Sequence, residues 1–241
     1  MQYVIIFAAA AAVLSLVGGV VLTMQKDYKK LAGWAAAFAA GALLATVALD
    51  LLPHIAHGSE HGHDEGHMPF VFLLVGILLF FMVELILNHT IKKKSIVPLV
   101  VIGDILHNII DGAVIAAGFL ISVPSGIIVT LTVVAHELPH EVGDFGLMLH
   151  NGVNRKKTIF INAVNALFVV AAAALFFGLG DQNRISTSWL LGLAAGFFLY
   201  VAFHVILEIH HSEDKKTIWK KTGYLFAGLF IVGLIIELIG H

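Results

Sequence analysis

The stretch Ala135-His136-Glu137-Leu138-Pro139-His140-Glu141-Val142-Gly143-Asp144 sets two histidines and three carboxylates inside an otherwise apolar run. Ionisable groups at that density, with hydrocarbon on both sides, are costly unless they pair, face water or hold a metal. The reading it invites is a divalent metal ion in transit. Composition supplies the setting: of 241 residues, 59% are hydrophobic and only 12% charged, with a mean hydropathy of +0.94. A soluble domain carries about 25% charged residues, so the chain falls in the membrane class. A net charge of -2 points to no nucleic-acid partner. The absence of cysteine excludes disulfides and thiolate sites, leaving His, Asp, Glu, Asn or backbone oxygen as ligands. Those donors suit zinc, iron(II) or manganese.

A membrane-spanning helix needs about 20 mostly apolar residues. Eight such runs are expected, at 3–24, 30–53, 69–90, 96–121, 126–149, 158–180, 187–210 and 218–240. The links between them are short and polar, so residues 1–241 read as a single transmembrane transporter domain. Met1-Gln2-Tyr3 lacks a basic start, and the first run is expected to be a retained helix. Thirteen of the fourteen Lys and Arg follow odd-numbered runs: Lys26, Lys29 and Lys30; Lys92, Lys93 and Lys94; Arg155, Lys156 and Lys157; Lys215, Lys216, Lys220 and Lys221. Arg184 alone follows an even one. By the positive-inside rule this predicts an all-α polytopic membrane protein of eight transmembrane helices, with both termini outside the cytoplasm.

The fourth run carries His107-Asn108-Ile109-Ile110-Asp111-Gly112. His107 and Asp111 are four apart and share one helical face. In the fifth run His136 and His140 repeat that spacing beside Glu137 and Glu141. One such pair could merely tie two helices together; two at equal depth read as a metal site. Pro139 lacks an amide proton, which predicts a free carbonyl at Ala135 and a helix loosened at the site. Depth orders the other polar groups. At the outer end stand Asp50 and His54, then a histidine-rich outer loop over 54–67 whose His57, His61, His63 and His67 suit loose metal capture. Toward the cytoplasm come Asp104, Asp144, His150, His204 and Glu208, expected to form an inner exit path.

His136-Glu137-Leu138-Pro139-His140 also satisfies the H-E-x-x-H signature of zinc proteases, so an intramembrane metalloprotease with Glu137 as base is the alternative. Proline within the motif, an aspartate placed before the motif instead of after it, and the further carboxylates weigh against it. The paired signatures His107-Asn108-x-x-Asp111-Gly112 and His136-Glu137-x-Pro139-His140-Glu141 resemble those of the ZIP (Zrt-, Irt-like protein) metal transporters, the longer run being most similar to the LIV-1 branch. The resemblance implies uptake of zinc, iron or manganese into the cytoplasm as transported substrate, an elevator-like motion, and in many members a homodimer. It implies a primary site of His107, Asp111, His136 and His140, with Asn108, Glu137 and Glu141 as neighbours in two-metal members. Asn162-Ala163-Val164-Asn165 stands where those members carry a carboxylate. The expected setting is an integral, multi-pass protein of the cell membrane, with divalent ions and lipid as its partners.

Overall fold

A computed structural model describes residues 1–24, 26–58, 67–91, 97–182, 186–210 and 214–239. The described residues form α1 (Gln2–Leu22), α2 (Tyr28–Thr46), a π-turn (Val47–Leu51), α3 (Leu52–Gly58), α4 (Met68–Ile91), α5 (Val97–Ile121), α6 (Val123–His150), α7 (Arg155–Asp181), α8 (Thr187–His210) and α9 (Lys215–Ile239). The chain is a multi-pass membrane protein, all-helical among the described residues.

Local chemistry sets the helix ends. Pro69, Pro98 and Pro124 are each the second residue of a helix, where a missing N–H leaves no intrahelical bond unmade. The Ser125 N–H donates to Ser122 Oγ at 3.1 Å, so Ser122 alone turns the chain from α5 into α6; the start of the fifth predicted run lies three residues further on. At the far end of α6, Gly152 takes φ +83°. The Gly152 and Val153 amides return to the carbonyls of Leu149 and Met148, closing the helix on a left-handed residue. Asn154 then caps α7, its side chain accepting from the Lys157 N–H at 2.9 Å.

Seven helices contain stretches long and apolar enough to span a bilayer: Gln2–Val21, Lys30–Ala56, Met68–Ile86, Val101–Ile121, Arg155–Gly180, Ser188–His210 and Lys215–Leu238. At 28 residues α6 is long enough too, but its polar stretch dilutes its hydropathy below that level. Helix α6 runs unbroken through Pro139. The irregular backbone lies instead in the second run, where the π-turn joins α2 to α3 and carries the rod on to Gly58.

The helices pack as two sets joined through an extensive α2–α6 contact. Helix α5 lies along α7 and beside α6, while α1 crosses α6 and α7. Separately, α2 packs on α9 and α8, and α4 on α8. Glycines allow backbones to meet inside each set, as small residues do in lipid. A Cβ on Gly112 of α5 would strike the Val169 carbonyl of α7, and one on Gly41 of α2 would strike the Leu225 carbonyl of α9. The sets meet along α2–α6 and α5–α8. Leu74, Leu78 and Met82 of α4, with Phe226, Phe230 and Leu238 of α9, are exposed apolar side chains; such surface belongs in lipid, not water.

Candidate metal centre

Four side chains converge between α5 and α6. One ligand atom from each of His107, Asp111, His136 and Glu137 lies within 4.8 Å of all the others. The one-residue connection at Ser122 folds α6 back along α5, and i, i+4 spacing sets His107 beneath Asp111. His107 Nε2 is 3.0 Å from Glu137 Oε1 and 3.8 Å from Asp111 Oδ2. His136 Nε2 is 3.4 Å from Asp111 Oδ1.

The His136 tautomer follows from its partner. Nδ1 lies 3.1 Å from the Thr132 carbonyl, which can only accept, so Nδ1 carries the proton and Nε2 presents a lone pair. A backbone acceptor that orients a ligating imidazole in this way is common around metal ions. His107 Nε2, both oxygens of Asp111, His136 Nε2 and Glu137 Oε1 are all buried without a hydrogen-bond partner. The atoms face one another at 3.0 to 3.8 Å without well-aligned hydrogen bonds, an arrangement that a shared cation would satisfy. Two neutral imidazoles and two carboxylates supply four donors and two negative charges, which match one divalent ion.

Aromatic rings from α8 close the site laterally. Phe197 and Phe198 have no exposed surface. The Phe197 ring meets His107 edge-on with centroids 5.2 Å apart, and Phe198 meets His136 at 5.9 Å. On the Asp50 side, Ile115, Val129 and Val133 fill the space as buried core. Exposure rises the other way. The Asp111 side chain is 0% exposed and His107 13%, while Asp144 is 17% and His140 37%.

His140, expected in the primary four, gathers instead with Asp104 and Asp144, whose ligand atoms also lie within 4.8 Å of one another. Its ring stacks on His107 with centroids 4.4 Å apart and planes 7° from parallel, so the groups adjoin. Asn108 turns from both: its Nδ2 donates to the Asp104 carbonyl at 2.8 Å and to Asp104 Oδ1 at 2.7 Å. Glu141 lies under α1, where a Cβ on Gly19 would come within 2.9 Å of its own Cβ. Its Oε2 is buried and unpaired.

The other expected residues are spread out. Asp50 sits in the π-turn, accepting from Ser125 Oγ at 2.8 Å. His54 donates from Nδ1 to the Asp50 carbonyl at 2.7 Å. His67 is an exposed turn residue. His61 and His63 lie outside the described residues, as do the side chains of His57 and His150. His204 approaches Glu84 of α4 at 3.7 Å, and Tyr200 donates to the same carboxylate. Glu208 is 3.8 Å from Lys221 of α9. Depth brings neither His204 nor Glu208 to the converging groups, because they face α4 and α9. Sequence reasoning did not single out Thr132, Phe197, Phe198 or Ser125. Of these only Thr132, one turn before His136, carried a signal in its spacing.

A family model described as "ZIP Zinc transporter" matches residues 1–98 and 92–236. Zinc transporter ZIP4 of Mus musculus is 41% identical over 123 residues, covering 50% of this chain and 18% of that protein. Zinc transporter ZIP10 of Danio rerio is 37% identical over 123 residues, 51% of this chain and 14% of that protein. Zinc transporter ZIP6 of Homo sapiens is 33% identical over 150 residues, 59% and 20%. The matched stretch thus spans a fifth or less of these relatives. With the family model covering nearly the whole chain and its two signature helices meeting at one cluster of ligands, the chain belongs to the ZIP zinc transporter family.

Proposed function

We propose that the chain carries a divalent transition-metal ion, zinc foremost, across the membrane into the cytoplasm. The observation that supports this best is the group of five buried, unpaired ligand atoms on His107, Asp111, His136 and Glu137. An ion there loses its water to two imidazoles and two carboxylates. Mixed nitrogen and oxygen donors favour zinc, iron(II) and manganese over calcium and magnesium, which prefer all-oxygen shells. The reading takes all eight long runs as spans, α6 included, with both termini outside. Asp50 and His54 then stand at the outer end, and His57, His61, His63 and His67 gather ions above them. His140 and Asp144, the more exposed ligands, lie on the cytoplasmic side.

Alternating access in this reading is an elevator-like displacement of α1, α5, α6 and α7 against α2, α4, α8 and α9, supported by the packing of each set. Hydrolysis by His136-Glu137-x-x-His140 is disfavoured, because His140 sides with Asp104 and Asp144 instead of sharing an ion with His136. The test is zinc flux into proteoliposomes, with iron(II), manganese and cadmium as competitors. His136→Ala and Asp111→Ala are each expected to abolish uptake in protein that remains folded. Uptake retained in both would sink the site assignment.

A further inference from the structure

We infer that the start of α2, beside the α1–α2 link, is a binding site for the headgroup of an anionic phospholipid that carries hydroxyls beyond its phosphate. Lys26, Lys30 and Trp34 are the residues that hold it, and its ligand belongs to the bilayer and not to the ion path. Which leaflet supplies the lipid rests on the orientation taken above; the recognition does not.

A cavity of about 450 Å³ opens there, lined by Met24, Lys26, Asp27, Lys30, Leu31 and Trp34, a size that admits a small polar ligand. Its depth follows from the spans on either side. The first ends at Val21 and the second begins at Lys30, so the cavity lies at headgroup level. Lys26 and Lys30 are both exposed, and neither forms an ion pair among the described residues. Lys221 of α9 differs: it lies along α2, where a Cβ on Gly33 would come within 3.3 Å of its Cε, and it pairs with Glu208 at 3.8 Å. Lys30 sits over the Trp34 ring, its Nζ 5.2 Å from the centroid. Trp34 stacks in turn on Tyr224 of α9, with centroids 5.6 Å apart, so the aromatic wall of the cavity is held in place.

Two ammonium groups against the single Asp27 carboxylate leave one positive charge, the complement of one phosphodiester. Lysines bind phosphate oxygens as point charges, and each one near an anionic leaflet adds to the attraction. The Asp27 side chain makes no capping bond to α2, unlike Asp214 at α9, so its carboxylate is left to accept from a headgroup hydroxyl. Met24 is 66% exposed and, with Leu31, gives the acyl chains an apolar edge. An interfacial belt accounts for a tryptophan or a lysine at the water line taken singly. It does not account for a concave site where unpaired ammoniums, an uncapped carboxylate and an apolar edge adjoin. A soluble phosphate would leave Met24 and Leu31 unused. One headgroup seated there touches both helix sets, since Met24 follows α1 and Trp34 belongs to α2.

The test is quenching of Trp34 fluorescence by brominated lipid, with the full chain reconstituted into phosphatidylcholine nanodiscs. W189F/W219F leaves Trp34 as the sole tryptophan of the three. Phosphatidylglycerol brominated on its acyl chains is expected to quench Trp34 at a lower mole fraction than brominated phosphatidylcholine does. K26Q/K30Q should raise that mole fraction, by about 5-fold for each lysine, with the circular dichroism unchanged. K156Q/K157Q removes two exposed lysines from the start of α7 and should leave the preference intact. Equal quenching by the two lipids would overturn the proposal. So would an equal loss of preference in K26Q/K30Q and K156Q/K157Q, the mark of diffuse surface charge. Displacement of the brominated phosphatidylglycerol by millimolar glycerol phosphate would give the cavity to a soluble ligand and overturn the lipid assignment.

Discussion

Gly112→Ala places one methyl group where α5 and α7 have no room for it. A Cβ there would lie 2.7 Å from Ala172 Cβ and 2.8 Å from the Ala173 nitrogen, against the roughly 3.5–4.0 Å at which such atoms rest. The helices must part by about 1 Å to relieve the contact. The Asn165–Asp104 bond spans the same interface at 2.5 Å, and that parting takes it to roughly 3.5 Å, the edge of hydrogen bonding. Overpacking of this kind costs about 1–3 kcal/mol, and a lost hydrogen bond to a charged group about 1.5–3 kcal/mol. Alanine's better helix propensity returns about 1 kcal/mol. The net expectation is a loss of about 1.5–5 kcal/mol, read by reversible SDS unfolding of the purified protein in micelles, followed by circular dichroism. Zinc uptake should fall with it, since Asp104 loses one of its two anchors. Ala172→Gly in the same chain removes one of the clashing atoms and should recover part of the stability. Stability within about 0.5 kcal/mol of wild type, the usual range for harmless surface changes, together with undiminished uptake, would refute the reasoning.

Phe197→Ala opens a cavity against Phe80, whose ring centroid is 4.2 Å away, and should cost about 3–5 kcal/mol; Phe197→Leu should restore most of it in the same unfolding assay. At the start of α9, Asp214 accepts from the Thr217 hydroxyl at 2.8 Å and from the Lys216 and Thr217 amides. Foremost among these, the Thr217 hydroxyl holds its carboxyl below the usual carboxylate range. Because the folded value is the lower one, this cap should stabilise α9 above the ordinary carboxylate pKa and be lost as pH falls through the depressed value. A carbon-13 NMR titration of Asp214 checks the direction, and a midpoint at or above the ordinary value contradicts it. Deletion of 57–67 should weaken the apparent affinity for zinc in proteoliposomes without stopping flux; complete loss would make the loop part of the pathway.

Hydropathy sufficed to place the apolar runs, because lipid imposes length and apolarity on each run separately. The i, i+4 spacing also put His107 with Asp111 before any fold was known. The same spacing could not say which neighbours His140 would meet. It shares a face with His136, but one turn further along α6 the facing residue of α5 is no longer Asp111 but His107, on which its ring stacks, with Asp104 also in reach. Where the Asn108 amide would donate was set only by the position of Asp104. His204 and Glu208 have the depth of a pathway residue, yet rotation about α8 turns them to Glu84 and Lys221. Rotation is invisible in a helix that is apolar nearly all round. The π-turn at Val47–Leu51 leaves no compositional trace, since π-turns are made from ordinary helical residues. Pro139 stays within a continuous helix, as transmembrane helices often allow.

The glycine contacts have a mechanical consequence. Where backbone meshes with backbone, as at Gly41 and Gly228 between α2 and α9 or Gly76 and Gly196 between α4 and α8, the helices are keyed: sliding would drive main chain through main chain. Every close glycine approach among the described residues falls within one helix set or the other. The seam between the sets is bridged instead by side chains, the Thr46–Thr132 hydroxyl pair at 2.8 Å and the Ser125–Asp50 bond among them. Side chains can release one partner and take another a helical turn away, about 5.4 Å along the axis. In the elevator-like reading proposed above, displacement of the two sets would cost least along that seam. Glycines introduced in pairs across α2–α6 would turn that seam into another keyed joint.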